Sequence, residues 1–328
     1  MKSLLFALNA VTPIILLVVI GYCLKRSGYV KEAFIKAANK LVFHFFLPAM
    51  LFLNIYKIED FAHMELGYIL YVAVMLLAVF AVSIPLCLAV AKKRESVGAL
   101  LQATFRSNYA LIGIPLAQSL FGDEGAKVAT LLSAVSITMF NILAVVSLTA
   151  FRAGGKKTSA REILLDIVKN PLIQSIALGL LVLGVRALFE RWGVAFRLAD
   201  VEPVYKVLGY LSNMATPLAL LVLGAEFEFS AIKGLRREIV FGTLMRTFFV
   251  PAVALGIAFL FFKGSFTGAH FAAFVAVFAT PVAVSSVPMA QEMGGDATLA
   301  GQLVVWTTLF SSLSVFLAAF LLKLGGIF

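Results

Sequence analysis

Long apolar runs recur from one end of this chain to the other, and they limit what it can fold into. The chain has 328 residues, of which 62% are hydrophobic and 13% charged. A run of about 20 apolar residues is enough for a helix to cross a bilayer. Because lipid offers no partner for free backbone amides and carbonyls, spans of that length must be helical. The sequence therefore predicts an all-α polytopic membrane protein.

The predicted spans form two groups of five, separated by the longest polar stretch of the chain. Hydropathy places their approximate limits at 4–24, 33–56, 66–91, 98–121, 125–151, 171–189, 204–226, 238–262, 268–292 and 298–323. We predict domains at 1–151 and 171–328, joined by a cytoplasmic linker at 152–170. Since five is an odd number, the second domain must enter the membrane from the opposite side. The two domains are therefore predicted to be inverted five-helix repeats.

The net charge of +10 is carried mainly by short loops between the apolar runs. Loops after the first, third, fifth and seventh spans are rich in Lys and Arg, whereas those after the second and fourth are acidic. Positive loops stay in the cytoplasm, so both termini are expected on the extracytoplasmic side of a cell membrane. This placement identifies the lipid bilayer as a partner and argues against nucleic acid.

One phrase occurs twice, as "IPLAQSLFGDEG" and "VPMAQEMGGDAT". Pro115 and Pro288 are 288 − 115 = 173 residues apart, and so are Asp123 and Asp296 (296 − 123). The phrases fall in spans four and nine, at equivalent positions of the two domains. Gly- and Pro-interrupted spans at such positions point to the binding site of a transporter. We predict that helices four and nine are broken, with breaks at Gly113, Pro115, Pro281 and Pro288.

Polar residues around these breaks are the candidate ligands. Freed amides and helix amino termini at mid-membrane suit an anion. Arg106 either attracts that anion or extends to the membrane surface, and for Arg246 the surface position is favoured. The predicted substrate-binding residues are Arg106, Ser107, Asn108, Tyr109, Asn141, Thr280, Pro281, Ser285, Ser286 and Thr307. Close helix packing is the alternative explanation for the small and polar residues.

Motifs of other functional classes are missing from the sequence. There is no HExxH, GxSxG or paired Asp motif, and the three histidines are scattered at 44, 63 and 270. The chain also lacks the GxxxxGK[ST] phosphate loop of nucleotide-driven pumps. We predict that the protein is not an enzyme and has no cofactor and no metal site.

Five segments together resemble the auxin efflux carrier family, the bacterial permeases related to plant auxin exporters. They are "NKLVFHFFLPAMLF" (39–52), "SNYALIGIPLAQSLFGDEG" (107–125), "ATPLALLVLGAEF" (215–227), "ATPVAVSSVPMAQEMGGDA" (279–297) and "TTLFSSLSV" (307–315). The resemblance implies ten helices in two inverted five-helix repeats, with broken helices four and nine crossing at Ser107–Asn108 and Thr280–Pro281. It also implies a scaffold of spans one, two, six and seven, and a mobile transport domain of the other six, in an elevator cycle like that of bile-acid sodium symporters. The chain departs from the plant pattern at Ser107, where a proline is expected.

These features predict a secondary transporter that moves small organic anions such as carboxylates by an elevator mechanism. The family's substrates include auxin and malonate, and the sequence does not choose among such anions. Sodium- or proton-coupled symport is one alternative, for which Gln118 and Gln291 could supply oxygen ligands. A metabolite sensor that moves nothing is another. A second copy of the chain, in a homodimer, is a further candidate partner.

Overall fold

The computed structural model describes residues 2–58, 65–154 and 160–328, and helices dominate this part of the chain. The helices are α1 (Lys2–Arg26), α2 (Glu32–Tyr56), α3 (Leu66–Val90), α4 (Arg94–Phe105), α5 (Tyr109–Ala150), α6 (Ala160–Lys169), α7 (Pro171–Arg191), α8 (Glu202–Glu226), α9 (Ala231–Phe262), α10 (Gly268–Phe278), α11 (Ser286–Glu292) and α12 (Ala297–Leu324). Within α5 the backbone is non-helical at Phe121 and Gly122. This kink lies between the predicted fourth and fifth spans.

Seven of the described helices are long and apolar enough to cross a membrane, namely α2, α3, α5, α7, α8, α9 and α12. Helix α10 is shorter and also apolar. The prediction of an all-α, multi-pass membrane protein is therefore confirmed, while the number ten and the inverted repeats stay predictions. The charged loop positions 59, 60, 156 and 157 lie outside the described residues.

The predicted linker contains a helix of its own, α6. Leu164, Leu165 and Val168 are exposed on it, whereas its charged residues occupy other positions of the same ten-residue segment. An apolar helical face outside a span is typical of helices that lie at the membrane surface.

Three helices widen into a π-helical turn just before a proline. These turns are Val42–Phe46, Tyr109–Gly113 and Met245–Phe249, followed by Pro48, Pro115 and Pro251. Proline has no N–H to donate, and its ring collides with the carbonyl four residues earlier. Widening the preceding turn relieves that collision without breaking the helix.

The helices pack in two groups. In the first group α1 packs against α8, and α2 against both α7 and α8. The second group consists of α3, α4, α5 and α9 to α12, with α10 packed against α5 and buried from Ala269 to Phe278. Helix α1 also contacts α12, and α11 contacts α2 and α8. The surfaces between the two groups are where the candidate site lies.

Backbones of α1 and α8 come into direct contact at two glycines. A Cβ atom added to Gly21 would lie 2.1 Å from the carbonyl oxygen of Leu221, and one added to Gly224 would lie 1.9 Å from that of Val18. Only glycine fits at both positions. Small residues that let backbones approach this closely are a common basis of helix association in membranes.

Candidate functional site

Two non-helical segments meet inside the second group of helices. One is 106–108, between α4 and α5, and the other is 279–285, between α10 and α11. The backbone N–H of Asn108 donates to the carbonyl of Pro281 at 2.8 Å, and Ser107 pairs with Val282 in an isolated antiparallel bridge. The segments begin at positions 279 − 106 = 173 residues apart. This is the spacing of the repeated phrase.

Side chains behind the second segment fix its backbone. The Oγ1 of Thr307 accepts a hydrogen bond from the N–H of Val282 at 3.1 Å and donates to Leu303 at 2.7 Å. Thr280 donates its hydroxyl to the carbonyl of Ala276 at 2.8 Å. Thr280 and Thr307 are therefore committed to holding the break, and neither lines the recess described below.

Arg106 is the charged residue at this meeting point, and only 3% of it is exposed. One terminal nitrogen donates to Gln102 Oε1 at 2.8 Å and contacts Met289 Sδ at 2.6 Å. The other donates to Asn141 Oδ1 at 3.0 Å and Ser285 Oγ at 2.8 Å. This burial excludes the alternative in which Arg106 extends to the surface. All four partners are neutral.

A recess of about 50 Å³ lies against Arg106. Of the predicted binding residues it is lined by Arg106, Ser107, Asn108, Tyr109, Asn141 and Ser285. The Oγ of Ser107 and the Nδ2 of Asn108 are buried there without a hydrogen-bond partner. A buried polar group left unpaired costs free energy. The residues that line the recess therefore include one cation and two side chains with polar atoms that have no partner in the protein.

The recess adjoins a cavity of about 530 Å³ between the two groups of helices. Both spaces are lined by Met50, Asn54, Asn108, Ala110 and Ser285. Helices α1, α2 and α8 supply the opposite wall, which includes Pro13, Ile14, Leu17, Leu47, Ser212, Asn213, Thr216 and Leu220. A small molecule could thus place an acidic group in the recess and its remaining atoms in the cavity.

The polar groups of three predicted residues, Tyr109, Pro281 and Ser286, are used within the protein or lie outside the recess. The hydroxyl of Tyr109 donates to the carbonyl of Ala129 at 2.7 Å, so it is used inside the bundle. Pro281 contributes its carbonyl to the contact between the segments. Ser286 is buried with an unpartnered hydroxyl but does not line the recess.

Most of the residues predicted to break the helices lie beside the breaks. Gly113 and Pro115 are in helical backbone, and the first break lies upstream at 106–108. Pro288 belongs to α11, just after the second break, and Pro281 is within it. Proline is tolerated in the first turn of a helix because the N–H it lacks has no partner there. Pro288 therefore lies in the first turn of α11, Pro115 follows the π-helical turn of α5, and only Pro281 lies within a break.

Arg246 corrects the sequence interpretation, which favoured a surface position. It is 0% exposed, and it donates to the carbonyls of Thr280 and Val277, both at 2.7 Å. Its guanidinium thus binds the carboxyl end of α10, where partial negative charge accumulates. The sequence contained a sign of this burial, since Arg246 lies eight residues inside predicted span eight. A charge at that depth is costly unless it has a partner.

A second cavity, of about 560 Å³, is lined in part by Lys25, Arg26, Glu226 and Gln291. Gln291 Nε2 donates to Glu226 at 3.2 Å, while Gln118 donates to Asp123 at 3.4 Å. Neither glutamine lines the recess. In the described part of the chain, no three His, Cys, Asp or Glu side chains cluster as metal ligands would.

Comparison with known proteins agrees with the membrane architecture. An uncharacterized transporter of Methanothermobacter thermautotrophicus is 25% identical over 312 residues, which cover 94% of this chain and 95% of the relative. An uncharacterized transporter of Methanocaldococcus jannaschii is 26% identical over 235 residues, covering 69% and 70%. The profile of a family described as "Membrane transport protein" matches residues 6–318. Because that match takes in nearly the whole sequence, the chain belongs to this family of membrane transport proteins, the auxin efflux carrier family.

Proposed function

We propose that this protein is a secondary transporter of small organic anions, with carboxylates as the substrate class. The observation that carries the proposal is Arg106, a buried guanidinium whose hydrogen-bond partners are all neutral and which faces a recess open to a larger cavity. A carboxylate is the natural partner for such a group, since bonds between the two ions are short and strong.

The substrate would be held by both non-helical segments. Its carboxylate would accept hydrogen bonds from Arg106, Ser107 Oγ and Asn108 Nδ2, the last two of which have no partner in the protein. Asn141 and Ser285 orient the guanidinium through their oxygens. The body of the substrate would lie in the cavity of about 530 Å³.

Alternating access by an elevator movement fits the grouping of the helices. Helices α1, α2, α7 and α8 would form the scaffold, and the second group would carry the site across the membrane. In this proposal the chain has ten spans in inverted repeats at 1–151 and 171–328, with a cytoplasmic linker at 152–170. Support comes from the 173-residue spacing shared by the two breaks and the repeated phrase.

The same topology places both termini outside a cell membrane and the basic loops in the cytoplasm. An inside-negative potential would then favour anion export by about 2.3 kcal/mol per charge per 100 mV. Coupling to sodium is less well supported, because Gln118 and Gln291 bind other side chains away from the recess.

The test is binding and transport by purified protein. Mono- and dicarboxylates are screened by thermal shift, since a ligand of the native state raises its unfolding temperature. Those that bind are loaded into proteoliposomes, and efflux is compared between wild type, Arg106→Gln and Arg237→Gln. Arg237 is an exposed arginine on α9 that binds the carbonyl of Ala89.

We expect binding and efflux to be lost in Arg106→Gln and kept in Arg237→Gln. Carboxylate transport at the wild-type rate by Arg106→Gln would contradict the proposed site. Binding without any transport would favour the sensor alternative, and transport only with a sodium or proton gradient would favour symport.

A further inference from the structure

The charge of Arg106 is balanced differently from that of the other buried arginines. Three arginines are buried among the described residues, at 106, 186 and 246. Arg186 has the carboxylate of Glu190 at 3.7 Å, and Arg246 binds carbonyls at the negative end of α10. Arg106 has no carboxylate within salt-bridge distance among the described residues. An arginine keeps its proton inside proteins, so this charge is permanent.

The wall opposite the recess offers no carboxylate to balance the charge of Arg106. Its apolar residues include Ile14, Leu17, Leu47 and Leu220, and its polar residues Ser212, Asn213 and Thr216 carry no negative charge. If the second group of helices slides along this wall, the site must lose the water of the cavity on the way. A guanidinium held only by neutral partners then bears a larger cost of burial than one paired with a carboxylate.

From these observations we propose that the carrier without substrate is the form on which membrane potential acts, through Arg106, and that it changes orientation more slowly than the loaded carrier. This inference rests on the proposed function, because it assumes that the site moves and that its ligand is an anion. It adds a mode of action: the protein exchanges carboxylates across the membrane faster than it releases them in one direction.

The charge balance also sets the direction of the voltage effect. Without substrate the site carries one unbalanced positive charge, and with a monocarboxylate that charge is neutralised. An inside-negative potential therefore draws the unloaded site toward the cytoplasm, where it can bind again. A full charge crossing 100 mV shifts the ratio of the two orientations by about 50-fold, and partial movement shifts it less.

The first experiment needs no substrate. Voltage steps are applied to membranes containing the purified protein in a carboxylate-free buffer, and transient charge movement is recorded. We expect a saturable charge movement in wild type and Arg106→Lys, and its loss in Arg106→Gln. Variants are first checked for monodisperse folding. Wild-type protein without charge movement, or Arg106→Gln with the wild-type amount, would overturn the inference.

The second experiment measures exchange directly with [14C]pyruvate as monocarboxylate and [14C]malonate as dicarboxylate. Efflux from loaded proteoliposomes is followed with and without the same unlabelled compound outside. We expect pyruvate outside to accelerate pyruvate efflux at least about tenfold, because it spares the slow unloaded step; equal rates would overturn the inference. If neither compound crosses, these substrates of the proposed function are wrong, and the substrate-free charge movement still decides the inference.

Discussion

Asn108 uses its backbone and its side chain for different purposes. The backbone N–H holds the two segments together through Pro281, while the side-chain Nδ2 is buried without a partner. We therefore expect Asn108→Ala to fold normally, with stability within about 1 kcal/mol of wild type, because no side-chain bond is lost. Substrate affinity should fall about 10- to 100-fold, the value of a hydrogen bond to a charged group.

Affinity is measured by the ligand-dependent thermal shift, and transport is measured separately in proteoliposomes. The control is Gln118→Ala, since the Gln118 amide is exposed and lines neither the recess nor the larger cavity. Wild-type affinity in Asn108→Ala would show that this amide does not touch substrate.

Arg246 supports the second segment from behind. Its guanidinium binds two carbonyls, of Val277 and Thr280, and Thr280 directly precedes the Pro281 that pairs with Asn108. Lysine keeps the charge but cannot reproduce the planar fork. Arg246→Lys should lower the free energy of unfolding by about 2 kcal/mol and slow transport. Thermal unfolding checks this against Arg237→Lys on the same helix, for which no change is expected; equal melting temperatures for both would refute the supporting role.

For individual residues, the sequence predicted which side chains lie near the site better than it predicted what each of them does. Arg106, Asn108, Asn141 and Ser285 were predicted as binding residues, and the structure brings them together. Arg246 was misplaced because hydropathy shows how deep a residue lies along its span but not which helix end its side chain reaches. The carbonyls that Arg246 binds lie 31 and 34 residues from it in sequence. The contact therefore depends on how α9 packs against α10.

At the level of helices, the contact between α1 and α8 allows the contribution of glycine to the stability of the proposed scaffold to be measured. Gly224 has no room for a Cβ beside Val18, whereas Gly209 on the same helix has nothing within 4 Å of that position. Gly224→Ala should force the helices apart and cost about 1–3 kcal/mol. Gly209→Ala should be neutral or stabilising by up to about 1 kcal/mol, because alanine favours helix. Unfolding in detergent compares the two, and equal stabilities would mean that the close contact is dispensable.

The breaks show why element boundaries were harder to predict than element positions. Predicted and observed helices agree closely where apolar runs end at charges, as in Leu66–Val90 for the predicted 66–91. The first break, at 106–108, contains neither glycine nor proline, so composition did not predict it and only the family resemblance pointed to Ser107–Asn108. It exists because the amide of Asn108 bonds to Pro281, a tertiary contact between residues 173 apart. The residues next to Asn108 in sequence do not indicate that distant partner.

For the whole molecule, the proposed elevator requires the two groups of helices to move past each other. Asn39 on α2 and Glu292 on α11 join the groups, with Asn39 Nδ2 3.3 Å from Glu292 Oε1. We expect a short, reducible bis-thiol-reactive linker between cysteines at these positions to stop transport. Reduction should restore it. The background carries Cys23→Ser and Cys87→Ala, which removes both native thiols.

A cross-link inside one group provides the matched control. Ser96 Oγ and Asp296 Oδ2 are 2.7 Å apart, and both residues belong to helix starts in the second group. Cysteines there should cross-link without stopping transport, because a rigid body can be tied to itself and still move. If a fully cross-linked Asn39→Cys/Glu292→Cys protein transports at the wild-type rate, the groups do not separate at this contact. Substrate would then have to pass through local opening around α11, and the charge on Arg106 would remain in place during the cycle.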